Sequence, residues 1–255
     1  MIKNFTYDKE LTLLCKTVKN AYKKVIKGNK MQVSDKGSKD LVTNLDLESE
    51  AFILKVIKDN FPEDTIISEE NNPSVMPKGR TWTVDPIDGT INFANGSRLW
   101  GLQVSFSIDG DGQFGIIYLP EYKDLLIGAK GCGAYLNGKK ITINIDNSKS
   151  QLIALDYSKK ILPFFTENMP TIEANTLRVR SFGAGCFGFY SVACSQVGTY
   201  IIACHNPWDL IPGMVICKEA GATVYQRYVD DETISMITTN EKLAKKLGYK
   251  KSDII

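Results

Sequence analysis

Phe5, Leu11, Leu14, Val18, Tyr22 and Val25 recur every three or four residues between positions 5 and 27, with lysines on the other side. That period predicts an amphipathic helix. Residues 29–40 are polar and predict a loop. A second helix is predicted from near Asp46 to Asn60, stopping before Pro62. Thr65–Ser68 and 81–84 read as short strands, with Pro86 ending the second. From 101 to 140, alternating runs are broken by Asp109-Gly110-Asp111-Gly112, Pro120-Glu121-Tyr122 and Asn137-Gly138. Such punctuation predicts an antiparallel meander with tight turns.

After about residue 145 the pattern changes to alternating strands and helices. Strands are predicted at Leu152–Asp156, 177–182, 199–204, 222–225 and 234–238, and helices at 186–197, 208–220 and 240–247. The chain thus reads as one unit, 1–255, made of an α+β lobe (1–145) and an α/β lobe (146–255) that share a cleft. It shows no internal repeat and no low-complexity linker.

A hydrophobic fraction of 43% with 24% charged residues is ordinary for a globular chain. The net charge of +2 gives no electrostatic case for binding nucleic acid or a membrane. The first ten residues lack a signal peptide's apolar core, and no apolar run approaches the ~20 residues of a membrane helix. Six scattered cysteines without a Cys-x-x-Cys pair suggest neither zinc nor a disulfide framework. A cytoplasmic protein with reduced thiols is the expectation.

The chemistry concentrates in Asp85-Pro86-Ile87-Asp88-Gly89-Thr90. Two carboxylates crowded beside a helix start repel one another unless a cation lies between them, and hard oxygen donors suit Mg²⁺. A helix N-terminus next to them is a seat for phosphate. Asp46, Glu69 and Asp209 also stand at the edges of predicted elements, where side chains can converge on a cleft. Taken singly, Asp46 and Asp209 read equally well as helix caps or first-turn acids, and Glu69 with Glu70 as an exposed pair.

Residues 82–93 resemble the core signature of the inositol monophosphatase family, the Mg²⁺-dependent, lithium-sensitive phosphatases. Asp40-Leu41-Val42-Thr43-Asn44-Leu45-Asp46 resembles that family's first motif and Ser68-Glu69-Glu70 its second. Trp208-Asp209, followed by Glu219-Ala220-Gly221-Ala222, resembles its C-terminal motif. The four motifs occur in the family's order. The resemblance implies a layered αβαβα sandwich, an α+β fold, and a homodimer that hydrolyses a small phosphate monoester such as inositol 1-phosphate.

It also implies roles. Glu69, Asp85 and the carbonyl of Ile87 would bind one Mg²⁺, and Asp85, Asp88 and Asp209 a second. A third, weaker ion would sit near Glu69, and Li⁺ would inhibit. Asp46 and Thr90, with Glu69, would prepare the attacking water. Asp88, Gly89, Thr90, Gly185 and Lys36 would contact the substrate. Two metals about 4 Å apart suit direct attack by water with no covalent intermediate.

One competing pattern is Gly183-Ala184-Gly185-Cys186-Phe187-Gly188, a Gly-x-Gly-x-x-Gly after a predicted strand, with Asp209 about twenty residues on. It would make the chain an NAD(P)-binding module. Its bland reading is close helix–strand packing at small residues. His205 beside Cys204 reads as a structural or cleft-rim histidine rather than half of a catalytic dyad. In the family, a glutamate seven residues before the C-terminal aspartate binds inositol hydroxyls, and here that position is Ile202. The metal chemistry survives this change, while the choice of substrate opens to NADP 2′-phosphate, fructose 1,6-bisphosphate or adenosine 3′,5′-bisphosphate.

Overall fold

The computed structural model describes residues 2, 5–37, 40–71, 77–144, 152–156, 162–204, 206–229 and 232–255. Helix α1 (Asp8–Ala21) runs on through a π-helical turn, Tyr22–Ile26, and α2 spans Asn44–Asn60. Both pack on one face of a seven-stranded sheet ordered β3 (Thr65–Ser68), β4 (Arg80–Asp88), β5 (Gly101–Ile108), β6 (Asp111–Leu119), β7 (Asp124–Ala129), β8 (Gly133–Leu136), β9 (Lys139–Ile141). Only the β3–β4 pairing is parallel, so the predicted meander is present.

Alternation along the strands sorts the two faces. Trp82, Val84, Val104, Phe106, Phe114 and Ile116 point to α1 and α2, while Ile117, Leu119 and Leu126 point to the opposite side. There lie α5 (Gly185–Ala193) and α6 (Pro207–Ala220). Helix α6 is apolar around most of its circumference, as a helix covered on both sides must be. Its other neighbour is a five-stranded sheet ordered β11 (Arg178–Arg180), β10 (Leu152–Asp156), β12 (Thr199–Ala203), β14 (Glu232–Thr238), β13 (Thr223–Val229). In that sheet β10 runs parallel to β11 and β12, and β14 antiparallel to both its neighbours. Helices α4 (Leu162–Ala174) and α7 (Glu241–Lys246) close the outer face over Ile153, Ile201, Ile234 and Met236. The layers therefore run αβαβα.

Two local expectations are corrected, and two prolines stand inside helices. Pro86 does not end a strand: β4 continues to Asp88 through an irregularity between Asp85 and Asp88. Part of the polar 29–40 segment is strand β1 (Val33–Gly37), paired antiparallel with β2 (Asp40–Thr43). Pro212 sits inside α6, whose first turn Pro207 opens. Helix α4, which holds Pro163 and Pro170, carries no sequence prediction. All six cysteines are free, and among the described residues no helix is long and apolar enough to cross a membrane.

Helix α6 lies unusually close to the seven-stranded sheet. A Cβ at Gly115 would come within 2.1 Å of the Pro212 carbonyl oxygen, and one at Gly128 within 2.5 Å of the Ile216 Cα. Both obstacles are backbone, so relief requires the helix to move. Gly128→Ala is expected to cost about 2–3 kcal/mol, the upper part of the range for overpacking. A urea titration reads this as a lowered midpoint; an unchanged midpoint would show that α6 has slack.

Candidate metal centre

In a regular strand residues three apart face opposite sides. Strand β4 instead carries one residue more than β5 between the pairs Asp85–Gln103 and Asp88–Gly101. Proline donates no ladder hydrogen bond, so Pro86 suits such a bulge, and the extra residue returns Asp88 to the side of Asp85. Asp209, in the first turn of α6, completes the group. Carboxylate oxygens of Asp85, Asp88 and Asp209 lie within 4.8 Å of one another. Glu69 directly follows β3, and its N–H donates to the Val84 carbonyl at 3.2 Å. It lines the same cavity of about 190 Å³, together with Ile87, Gly89 and Thr90.

Gly89 has φ +88° and precedes the short helix α3 (Thr90–Ala94). A side chain there would also meet the Cβ of Ala184 at 2.8 Å, so glycine is required twice over. Thr90 Oγ1 lies 3.0 Å from Asp46 Oδ1 and 2.9 Å from the Ile87 carbonyl oxygen, and can donate to either. Asp46 is fully buried behind it. Asp46 also serves α2 as the acidic member of a capping box, accepting from the Thr43 N–H at 2.8 Å and from the Thr43 hydroxyl. One side chain thus caps a helix and reaches the edge of the cavity.

Several supporting residues went unread in the sequence. Glu50, one turn after Asp46, is buried and accepts from Ser68 Oγ at 2.9 Å, the Glu70 N–H at 2.9 Å and Asn71 Nδ2 at 2.6 Å, which fixes the segment around Glu69. The signal was available: Asp46, Ser49 and Glu50 extend the apolar stripe of Ile53, Leu54 and Ile57 along one face of α2. Asp156, at the end of β10, accepts from the N–H groups of Phe182 (3.3 Å) and Gly183 (3.2 Å), from Ser181 Oγ at 3.3 Å and from the Tyr200 hydroxyl at 2.9 Å. Asn92 donates to the Phe182 carbonyl at 2.8 Å and so ties α3 to the same turn.

That turn is the glycine-rich run. Gly183 has φ +67°, and a Cβ on Gly188 would fall 2.1 Å from the Tyr200 ring. The N–H groups of Gly185 (3.1 Å) and Cys186 donate to Asp88, which Gln103 Nε2 also reaches at 3.1 Å. The donors a dinucleotide's pyrophosphate would need are therefore spent on a carboxylate. Asp209 lies in α6, not at the tip of β12. Geometry accounts for the pattern without a cofactor.

Ile202 does line a cavity, of about 360 Å³, beside Asp88, Gly185 and Asp209. Lys36 lines neither: its ammonium rests on Glu70 at 2.5 Å and Glu69 at 3.5 Å. His205 lies outside the described residues.

Electrostatics set the centre apart. Burial first, then the charge of Asp209, pushes Glu69 up to about 8 and Asp88 up to about 7. Asp85, wholly buried beside Glu69 and Asp88, is pushed well above the usual carboxylate range. Asp85 Oδ1 is buried and has no hydrogen-bond partner among the described residues. An orphaned carboxylate oxygen amid like charges fits a hard divalent cation.

A carboxyl group with a raised folded-state pKa keeps a proton that the unfolded chain has lost. Stability then declines as pH rises from about 4.5 toward 8. In EDTA the melting temperature is accordingly expected to fall between pH 6 and pH 8.5, and added Mg²⁺ should raise it more at the higher pH. A melting temperature and Mg²⁺ gain that ignore pH would show that these groups are not crowded.

A model of the inositol monophosphatase family matches residues 6–250. An inositol monophosphatase of Dictyostelium discoideum is 29% identical, over 97% of this chain and 96% of its own. A fructose-1,6-bisphosphatase/inositol-1-monophosphatase of Thermotoga maritima is 32% identical over 194 residues, 74% of this chain and 72% of that one. Among solved structures, an IMPase/NADP phosphatase complexed with Mg²⁺ and phosphate superposes with a TM-score of 0.79 at 22% identity, covering 96% of this chain and 97% of its own. From the bulge of β4 to the match along nearly its whole length, the chain belongs to the inositol monophosphatase family and is a phosphoric monoester hydrolase.

Proposed function

We propose that the protein hydrolyses a small phosphate monoester in the presence of Mg²⁺, by direct attack of water. The observation that carries this reading is the gathering of Asp85, Asp88 and Asp209 around a buried, unpartnered carboxylate oxygen. Glu69, Asp85 and the Ile87 carbonyl would hold one ion, and Asp85, Asp88 and Asp209 another. An ion held by these residues would supply neutralisation of phosphoryl charge and a more nucleophilic water. Inhibition by Li⁺ and a homodimer, which the family resemblance implies, and a cytoplasmic location, which the scattered free cysteines suggest, belong to the same proposal.

The chain's own residues supply the rest. Gly89 and Thr90 line the acidic cavity and would present backbone N–H groups to the phosphate. A water beside Thr90 can give its proton to Oγ1 while the threonine proton moves toward Asp46 Oδ1. Burial raises the Asp46 pKa, and its hydrogen bonds to Thr43 and Thr90 only partly offset that, so it is a stronger base than an exposed aspartate.

Asp88→Asn and Asp209→Asn should each lower kcat/KM by about 100-fold or more with Mg²⁺ in excess, a loss of transition-state charge stabilisation. Asp46→Asn should lower kcat by about 100-fold with a smaller change in KM, as for loss of a general base. Liberated phosphate is the readout, and EDTA should abolish it. Near wild-type turnover in either Asp88→Asn or Asp209→Asn would remove the two-ion assignment.

A further inference from the structure

The acidic cavity and the cavity of about 360 Å³ share Asp88, Gly183 and Asp209. With the phosphoryl group at the carboxylates, as proposed above, the larger cavity is the space left for the alcohol portion. Its wall at the end of β12 is Ile202, Ala203 and Cys204, with Ala184 opposite on the glycine turn.

The polar side chains of that wall are already engaged. Asp156 accepts four donors, including the Tyr200 hydroxyl at 2.9 Å and Ser181 Oγ at 3.3 Å. Cys204 Sγ is directed at Asp209 Oδ2, 3.0 Å away. No lysine or arginine lines either cavity among the described residues, whereas Asp88, Asp156 and Asp209 all do. Hydroxyl groups entering this space would lose water and find few open side-chain partners in return, chiefly the Ser181 oxygen. With Asp88 and Asp209 holding the ion, Asp156 is the remaining charged side chain of the wall, and no described cation lines the space to receive a second phosphate.

We infer that the substrate is a monophosphate whose alcohol portion is poor in hydroxyl groups and carries no second anionic group. This rests on the hydrolase reading above and narrows it. Ile202 is the specificity-determining residue. Its Cδ1 stands 3.6 Å from where a Cβ on Gly185 would lie, so it faces the floor of the site.

Cyclohexyl phosphate and inositol 1-phosphate share a ring and differ only in hydroxyls, which makes them the discriminating pair. With the full chain and Mg²⁺, kcat/KM for cyclohexyl phosphate should exceed that for inositol 1-phosphate and for fructose 1,6-bisphosphate by about tenfold or more. In Ile202→Glu, and in the uncharged Ile202→Gln, the ratio to inositol 1-phosphate should fall by about tenfold. Thermal melts report whether each variant folds, and the wild-type ratio decides the question even where one does not. Wild-type preference for inositol 1-phosphate or the bisphosphate would overturn the inference and leave the hydrolase reading standing. Release of phosphate from none of the three esters would instead remove the hydrolase reading itself.

Discussion

The arrangement depends on how closely α6 can lie against the seven-stranded sheet. Asp209 belongs to that helix and Asp85 and Asp88 to the sheet, so the carboxylate group exists only at a particular helix-to-sheet spacing. Glycines at 112, 115 and 128 remove the side chains that would hold the helix away. The same face carries Thr83 and Ser105, whose hydroxyls pair at 2.5 Å and satisfy each other in a buried place. Small residues and mutual hydrogen bonding let a backbone rest on a backbone, and the distance between carboxylates follows.

Such closeness works against folding. Three aspartates and a glutamate around one small cavity repel each other, and burial denies them water. The fold bears this because hydrogen bonds tie the surrounding elements to one another. Asp46 and Glu50 anchor α2 to the site, Asp156 and Asn92 anchor the glycine turn, and Asp88 takes two N–H groups from the start of α5. A cation that binds only the folded arrangement gains from this preorganisation, since none of its binding energy goes into gathering the ligands.

Legibility in the sequence followed how local the physics is. The meander was readable because alternation and Asp-Gly or Asn-Gly turns act over a few residues. The four motifs located Asp46, Glu69, Asp85, Asp88 and Asp209, and the structure gathers the last four around one cavity with Thr90 between it and Asp46. Pro86 misled because a missing N–H permits either a strand end or a bulge, and only pairing with β5 distinguishes them. Helix α4 was hidden by two prolines, although Pro163 stands where a first-turn N–H has no helical partner to lose. Strand β1 is exposed along its length, so it lacks the apolar alternation that marks a strand. Asn92 and Asp156 act through partners distant in the chain, and no local spacing announces them, whereas Glu50 continues the buried face of α2.

The glycine run shows how one pattern arises from different constraints. In a dinucleotide site the glycines admit a pyrophosphate to a helix N-terminus. Here Gly188 admits the ring of Tyr200, and the first turn of α5 receives Asp88. Both uses draw on unpaired N–H groups and the positive end of a helix. A carboxylate that occupies those donors leaves none for a diphosphate, yet it gains support for its ionised form in a cavity that otherwise favours the neutral acid. Asp88 is raised less than burial and Asp209 alone would dictate because Gly185 and Cys186 pull it back. The helix start that could have bound a substrate phosphate instead supports the ionised form of a buried carboxylate.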